Sequence, residues 1–233
     1  MSTLPPNACR LRVRYVKDGR LAYLGHLEVM QTVMRSVRRS GVPFEVGNGF
    51  ARRMRIQFSQ ALPVGASSRG EYYDLLLSDP LDEQEALEAL RLASPKALAP
   101  NAAVLLPRRM PALEAWADFS RWKVSVRGLP MDAKEFTNRI QELRQQDILQ
   151  FMRGEKERSI SLAQTLVSCE ASDVANGIDL VLQTRHSPQG SLRPAILVNA
   201  ACGVAPLRVC RMGQWHLAED GSLIDPMKRV WCL

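Results

Sequence analysis

The sequence predicts an α+β protein built from two tandem ferredoxin-like domains, each ordered strand, helix, strand, strand, helix, strand. Two observations lead to this fold class. Apolar residues recur with period two in some segments and with period three to four in others, which is typical of strands and helices in alternation. The same order of elements returns after a proline-containing connector at residues 107–116. We therefore expect one domain at residues 8–107 and a second at residues 118–233.

The first strand is predicted at residues 9–16 by strict alternation. One face carries Leu11, Val13 and Tyr15, and the other carries only arginine, at positions 10, 12 and 14. A strand with this period has one buried face and one face toward water. The sequence therefore predicts that these three arginines are solvated.

A helix follows at residues 26–40, where the apolar spacing changes to three and four. Gly41 stands where a glycine commonly ends a helix. The predicted apolar stripe consists of Leu27, Met30, Val33, Met34 and Val37. At 100° per residue, Arg35, Arg38 and Arg39 fall on the opposite face, so we expect them to point to solvent.

The first domain continues with strands at residues 53–62 and 71–78. Asp82 is predicted to cap a helix that Pro95 ends, and a strand at residues 102–106 closes the domain. The second domain repeats the order. Its predicted elements are a strand at 119–127, a helix after Asp132, strands at 159–169 and 178–184 with a turn at Asn176-Gly177 between them, a helix from Pro194 to Gly203, and a strand at 207–212.

Composition and charge narrow the class of protein. The chain has 233 residues, of which 46% are apolar and 24% charged, enough for two compact cores. No window approaches the roughly 18 apolar residues of a membrane span, and residues 1–6 lack the apolar centre of a signal peptide. Five cysteines occur without any Cys-x-x-Cys pair. We therefore expect a cytoplasmic protein that needs no cofactor or metal and has no membrane partner.

The positive charge is concentrated in the first 70 residues, where twelve Lys or Arg face three acids. Such a local field attracts nucleic acid, although a merely solvated positive face would have the same composition. The predicted RNA-binding residues are the helix arginines together with a basic, aromatic connector: Arg35, Arg38, Arg39, Phe50, Arg52, Arg53 and Arg55. Phe50 is expected to stack on a base while the arginines contact phosphates.

Catalytic signatures are missing from the sequence. It contains no phosphate-binding loop, no dinucleotide fingerprint, no His-Glu-x-x-His and no nucleophile elbow. His26, at the start of the first helix, is the main candidate for a general base, although a capping or packing role beside Gly25 is the better explanation of it. We therefore expect no catalytic residue and leave the question of an enzyme open.

Five short segments resemble a bacterial radical-SAM-linked domain family of unknown function: Gly25-His26-Leu27-Glu28, Arg38-Arg39-Ser40-Gly41, Gly49-Phe50, Leu62-Pro63-Val64-Gly65 and Gly70-Glu71-Tyr72-Tyr73-Asp74. The resemblance is close over residues 9–80 and looser elsewhere. It implies an accessory role beside a radical SAM protein that is encoded separately, because this chain lacks the cysteine triplet of such enzymes.

These observations lead to one functional hypothesis and two alternatives. The hypothesis is an accessory protein that binds a structured RNA, transfer or ribosomal, and presents it to a radical SAM modification enzyme. The first alternative is a metal-independent RNA endonuclease of the CRISPR repeat-processing type that uses His26. The second is a protein-protein scaffold that makes no RNA contact.

Overall fold

A computed structural model describes residues 8–129, 131–188 and 190–229 of the chain. The N-terminal residues that the signal-peptide prediction concerns, and Cys232, lie outside these ranges. Within them the protein is a mixed α and β structure in which strands predominate. The chain divides into two compact units: residues 1–117 with 215–233 form unit 1, and residues 118–214 form unit 2.

Unit 1 begins with strand β1 (Ala8–Lys17) and helix α1 (His26–Ser40), and it continues with β2 (Ile56–Phe58) and β3 (Ser67–Leu76). Helix α2 (Glu83–Ala93) and β4 (Pro100–Pro107) follow, and the short helix α3 is Leu113–Trp116. The strands are antiparallel and lie in the order β2, β3, β1, β4.

The core of unit 1 lies on the face of this sheet that α1 and α2 cover. Leu11, Val13 and Tyr15 of β1 pack there with Tyr73 and Leu75 of β3. From α1 the buried side chains are Val29, Val33 and Val37, with Met30 and Met34 beside them. Leu27 was predicted to belong to this stripe but is 71% exposed, because the helix turns its 29, 33, 37 row toward the sheet.

Helix boundaries follow the predicted signals closely. Helix α1 spans residues 26–40 as predicted, and Gly41 ends it with a φ of 74°, in the left-handed region that glycine adopts without strain. The Asp82 side chain caps α2 by accepting hydrogen bonds from the backbone N–H groups of Gln84 and Glu85. The predicted strand at 53–62 is shorter than expected, because only residues 56–58 pair with β3.

Unit 2 contains β5 (Phe119–Arg127), helix α4 (Ala133–Gln146) and a separate hairpin of β6 (Ile148–Arg153) and β7 (Lys156–Ser161). Helix α5 (Leu162–Thr165), β8 (Leu166–Val174), β9 (Gly177–Ser187), the two-residue β10 (Gly190–Ser191) and α6 (Pro194–Cys202) follow. Strand β9 pairs with both β8 and β5.

The predicted turn at Asn176-Gly177 joins β8 to β9. Gly177 has a φ of 156°, and a Cβ atom there would lie 2.1 Å from the carbonyl oxygen of Val126. Only glycine fits so close a backbone approach. The predicted strand at 159–169 is wrong in its middle, because Ser161 caps the one-turn helix α5 and divides β7 from β8.

Two further strands complete the chain, β11 (Arg208–Leu217) and β12 (Leu223–Ile224), which pair through His216 and Leu217. Residues from 215 onward group with unit 1. The predicted second domain, 118–233, included them, so this grouping differs from the predicted boundary.

Candidate nucleic-acid interface

The arginines of α1 are exposed on the last two turns of the helix. Arg35, Arg38 and Arg39 all point away from the core, as their positions predict. Arg39 donates a hydrogen bond of 2.7 Å from Nη2 to the carbonyl oxygen of Ala93, the last residue of α2. Among the described residues none of the three arginines forms an ion pair, so their charges face solvent.

Residues 41–55 form an irregular hairpin between α1 and β2, which we call the connector. The Gly47 N–H donates to the carbonyl of Arg53 at 2.8 Å, and the Arg55 N–H donates to that of Glu45 at 2.9 Å. The tip of the connector carries Phe50, whose side chain is fully exposed, and Arg52, whose φ is 40°. An exposed aromatic ring beside cationic groups is the arrangement that stacks on an unpaired base.

Arg55 lies on the other side of the sheet from α1. Register in β2 pairs Ile56 with Leu75 and Gln57 with Asp74, and Ile56 packs against the core under the helices. Because side chains alternate along a strand, Arg55 and Gln57 face the opposite side. The structure therefore separates Arg55 from Arg35, Arg38 and Arg39. The sequence predicted that all four belong to one RNA-binding surface.

The opposite face of β1 is buried at Arg10 and Arg12, contrary to the prediction that all three of its arginines are solvated, whereas Arg14 is half-buried and donates from Nε to Oδ1 of Asn101 at 2.8 Å. Arg12 is 0% exposed and Arg10 is 6% exposed. Arg12 donates to both oxygens of Asp74, from Nε at 2.7 Å and from Nη2 at 2.9 Å. Arg10 donates to the same carboxylate from Nη1 at 3.0 Å. The pairing register, Arg12 opposite Asp74, makes this arrangement possible.

A second layer covers that face. Trp116 of α3 lies under the Arg12 guanidinium, whose Cζ is 5.3 Å from the ring centroid, and stacks on His216 at 5.0 Å. Arg12 also donates from Nη1 to the carbonyl oxygen of Pro226 at 3.1 Å. Local alternation could not predict this cover, because it comes from residues more than 100 positions away.

His26 lies at the first residue of α1, beside a small cavity. Its ring is half-buried and meets Phe58 edge to face at 6.0 Å. It lines a cavity of about 10 Å³ together with Tyr15, Lys17 and Glu71. A cavity of this size holds about one water molecule. The geometry therefore favours a packing role for His26 over general-base catalysis.

Two buried tyrosines lie next to each other on β3 and face opposite sides of the sheet. Burial raises the pKa of Tyr72 to about 12, and burial also raises the pKa of Tyr73 above its ordinary value. Both phenols are therefore neutral at physiological pH. They serve packing in the two layers, Tyr73 under the helices and Tyr72 beside Trp116.

The described ranges offer no evident metal site and no membrane-spanning helix. There, no group of three or more His, Cys, Asp or Glu side chains is arranged to hold a metal ion. Over the same ranges, no helix has the length and apolar character to cross a bilayer.

Comparison with solved structures found matches of low similarity. The crystal structure of a Cbf5-Nop10-Gar1 complex matches at a TM-score of 0.47 and 8% identity, covering 89% of this chain and 49% of that chain. The archaeal box H/ACA sRNP Nop10-Cbf5 complex matches at 0.42 and 10%, covering 88% and 48%. The chain thus spans about half the length of these solved chains, and at such scores the likeness supports no inference about function.

Comparison with curated proteins found no match. A family profile, described as an uncharacterized protein conserved in bacteria (DUF2344), matches residues 10–194. These residues include β1, α1, the connector and most of unit 2. Because the match covers most of the sequence, the chain belongs to this bacterial family, DUF2344.

Proposed function

We propose that this protein binds a structured RNA, transfer or ribosomal, and presents it to a separate modification enzyme. One observation carries the proposal: five arginines on α1 and the connector are exposed and have no acidic partner among the described residues. They are Arg35, Arg38, Arg39, Arg52 and Arg53. Buried arginines of the same unit, by contrast, are paired with Asp74.

Unpaired exposed guanidinium groups bind phosphates without first breaking an intramolecular ion pair. Each phosphate that they neutralise releases counterions, which favours binding at low salt. Phe50 adds a surface on which a base can stack, a contact typical of single-stranded loops in folded RNA. A merely solvated positive face would not need an exposed aromatic ring at its tip.

The partner enzyme is proposed to be a radical SAM protein encoded separately. Support comes from the sequence resemblance of residues 9–80 to domains linked with such enzymes. We also propose that each unit is a ferredoxin-like domain. For unit 1 this is supported by the order β2, β3, β1, β4 with one helix between β1 and β2 and another between β3 and β4.

Charge reversal at the helix arginines tests RNA binding. The variant Arg35→Glu/Arg38→Glu/Arg39→Glu is compared with Lys134→Glu/Lys156→Glu/Arg158→Glu, which makes the same charge change on exposed residues of unit 2. Binding of total transfer RNA and of ribosomal RNA is measured by filter retention. We expect the α1 variant to lose at least about tenfold in affinity and the unit 2 variant to lose much less.

Equal losses in the two variants would mean that only net charge matters, and the proposed interface would be wrong. Absence of RNA binding by the wild type would favour the scaffold alternative. In that case the radical SAM partner should co-purify equally with the wild type and with the α1 variant. RNA cleavage that His26→Ala abolishes would instead support the endonuclease.

A further inference from the structure

Unit 1 contains a second group of arginines, separate from the five proposed to bind RNA. Arg55 belongs to this second group, although the sequence predicted it to bind RNA. They line a cleft of about 640 Å³, the arginine cleft, whose polar residues are Arg10, Arg55, Gln57, Arg108 and Arg109. An adjoining cavity of about 230 Å³ shares Arg10, Arg55 and Gln57 and reaches Asp74. The sheet order explains why these residues meet, because β2, β3, β1 and β4 are neighbours and place their ends together.

Arg10 is the innermost of the four arginines. Its Nη1 donates to Asp74, and its Nη2 donates to the carbonyl oxygen of Arg108 at 2.9 Å. Its Nε is buried and has no hydrogen-bond partner within the described ranges. A buried guanidinium with an unmet donor is costly unless another acceptor satisfies it.

The buried charges beside the cleft do not cancel. Arg10 and Arg12 share the single carboxylate of Asp74, which among the described residues leaves these three side chains with one positive charge in excess. Buried charges normally find a counter-charge. The excess therefore indicates that this region attracts an anion.

The rim of the cleft adds further positive charge. Arg108 pairs with Glu45, and its two terminal nitrogens meet the two carboxylate oxygens. Arg55 and Arg109 are exposed, and neither forms an ion pair within the ranges described. Glu45 is thus hydrogen-bonded to Arg108 and also interacts electrostatically with Arg55, so one carboxylate faces two cationic groups while Arg109 adds a third positive charge at the edge.

We propose that the arginine cleft binds a phosphate monoester carried on an organic molecule. Several guanidinium groups that line one cleft match the many acceptor oxygens of a phosphate better than the two of a carboxylate. Leu76, Met110 and Pro111 supply an apolar wall for the organic part. The volume lies within the range typical of small-molecule sites.

Two sources share this chemistry: a free mononucleotide and the 5′-phosphorylated end of an RNA. The proposal does not depend on RNA binding by α1, because it rests on a different face of the sheet. An experiment can therefore contradict RNA binding by α1 without contradicting phosphate binding by the arginine cleft, and the reverse.

Calorimetric titration with AMP tests the cleft, with adenosine as the probe that lacks the phosphate. The variant Arg55→Glu/Arg109→Glu changes two exposed residues, so the protein should fold. Its matched control is Arg20→Glu/Arg69→Glu, which changes two exposed arginines of the same unit that do not line the cleft. A second arm compares 5′-phosphorylated with 5′-hydroxyl oligoribonucleotides of the same sequence.

We expect Arg55→Glu/Arg109→Glu to reduce the affinity for AMP, or the preference for the 5′-phosphorylated oligoribonucleotide, by at least about tenfold. The control variant should change either quantity by less than about twofold. AMP binding assigns the site to a free nucleotide, and a preference for the 5′-phosphate without AMP binding assigns it to an RNA end. The proposal is overturned if wild type shows neither, if adenosine binds as well as AMP, or if both variants behave alike. Loss of RNA binding in the α1 variant with AMP binding intact would leave the cleft proposal standing.

Discussion

At the scale of single residues, Asp74 is the counter-charge of the two buried arginines of β1. One carboxylate accepts three hydrogen bonds from two buried guanidinium groups, and all three side chains are less than one tenth exposed. Buried ion pairs of this kind contribute little net stability while complete but are costly when one partner is removed. The network is therefore a sensitive point of the fold.

Replacing Asp74 with Asn should destabilise the protein strongly. The substitution leaves the two guanidinium groups of Arg10 and Arg12 without their counter-charge, and loss of one partner from a buried pair costs about 3–5 kcal/mol. Urea denaturation followed by circular dichroism measures this loss. Asp79→Asn, an exposed site beyond the end of β3, is the control and should unfold as the wild type does. A free energy of unfolding unchanged in Asp74→Asn would contradict the described network.

Glu45 should contribute stability that depends on pH. Its hydrogen bonds from Arg108 hold the pKa of this carboxyl below its ordinary value of 4.5. A lowered pKa in the folded state stabilises the protein above the unfolded value, and this contribution disappears as pH falls through the folded pKa. Glu45→Gln should therefore unfold at lower urea than wild type at pH 7, and the difference should vanish well below pH 4.5.

The control for this pH series is Glu114→Gln, at an exposed glutamate of unit 1. Its unfolding midpoint should follow that of the wild type across the whole series. A constant difference for Glu45→Gln from pH 7 to pH 3 would show that the Arg108 pair does not act through charge.

At the scale of elements, the sequence predicted the four longer helices, α1, α2, α4 and α6, because their signals are local, whereas the one-turn helices α3 and α5 were not predicted. Asp82 and Asp132 cap α2 and α4, Gly41 ends α1, and Pro194 begins α6, all as the sequence indicates. Each of these signals acts within one helical turn of the residue that carries it. Tertiary contacts therefore do not move these helix boundaries away from their predicted positions.

The arginine face of β1 was misassigned for the opposite reason. Alternation identifies which residues share a face, but not which layer covers that face. Arginine at positions 10 and 12 favoured the prediction that this face of β1 is exposed to solvent. In the structure, Trp116 and residues near Pro226 cover the face instead. In the sequence, Arg108 and Arg109 belong only to the segment at residues 107–116 that was predicted to link the two domains. That they line the same cleft as Arg55 depends on the order of the strands in the sheet.

The connector should contribute to RNA binding through stacking at Phe50. Phe50→Ala removes an exposed ring without disturbing the core, and loss of one stacked base costs about 1–3 kcal/mol of binding free energy. We expect weaker binding of RNA with single-stranded loops and an unchanged salt dependence. Val64→Ala, at another exposed apolar residue, is the control. Equal affinities in Phe50→Ala and wild type would exclude stacking at this position.

At the scale of the whole molecule, unit 1 includes the segment of residues 215–229, which is far from the rest of the unit in sequence. Arg12 and Pro226 are 214 positions apart, and Ile224 and Met227 pack against Leu113, Trp116 and Tyr72. The predicted domain at 8–107 does not include these residues. Pairings between such distant segments leave no periodic pattern in the sequence, so that boundary could not be predicted from it.

Ending the chain after Gln214 should destabilise unit 1. The truncation removes the carbonyl that Arg12 binds and the ring that stacks on Trp116, and it uncovers an apolar cluster. We expect a lower midpoint of urea unfolding and increased binding of an environment-sensitive hydrophobic dye. A truncated chain that unfolds with full-length stability would mean that the last segment does not form part of unit 1.

The central claim, that exposed and unpaired arginines on α1 and the connector hold RNA, is tested most directly by the salt dependence of binding. Five phosphate contacts predict a slope of log affinity against log salt concentration of about −3.5 to −4.5. Reversing the three α1 arginines should make the slope shallower, about −1.4 to −1.8, because two contacts remain. A slope near zero in wild type, or one that the α1 variant leaves unchanged, would contradict the account.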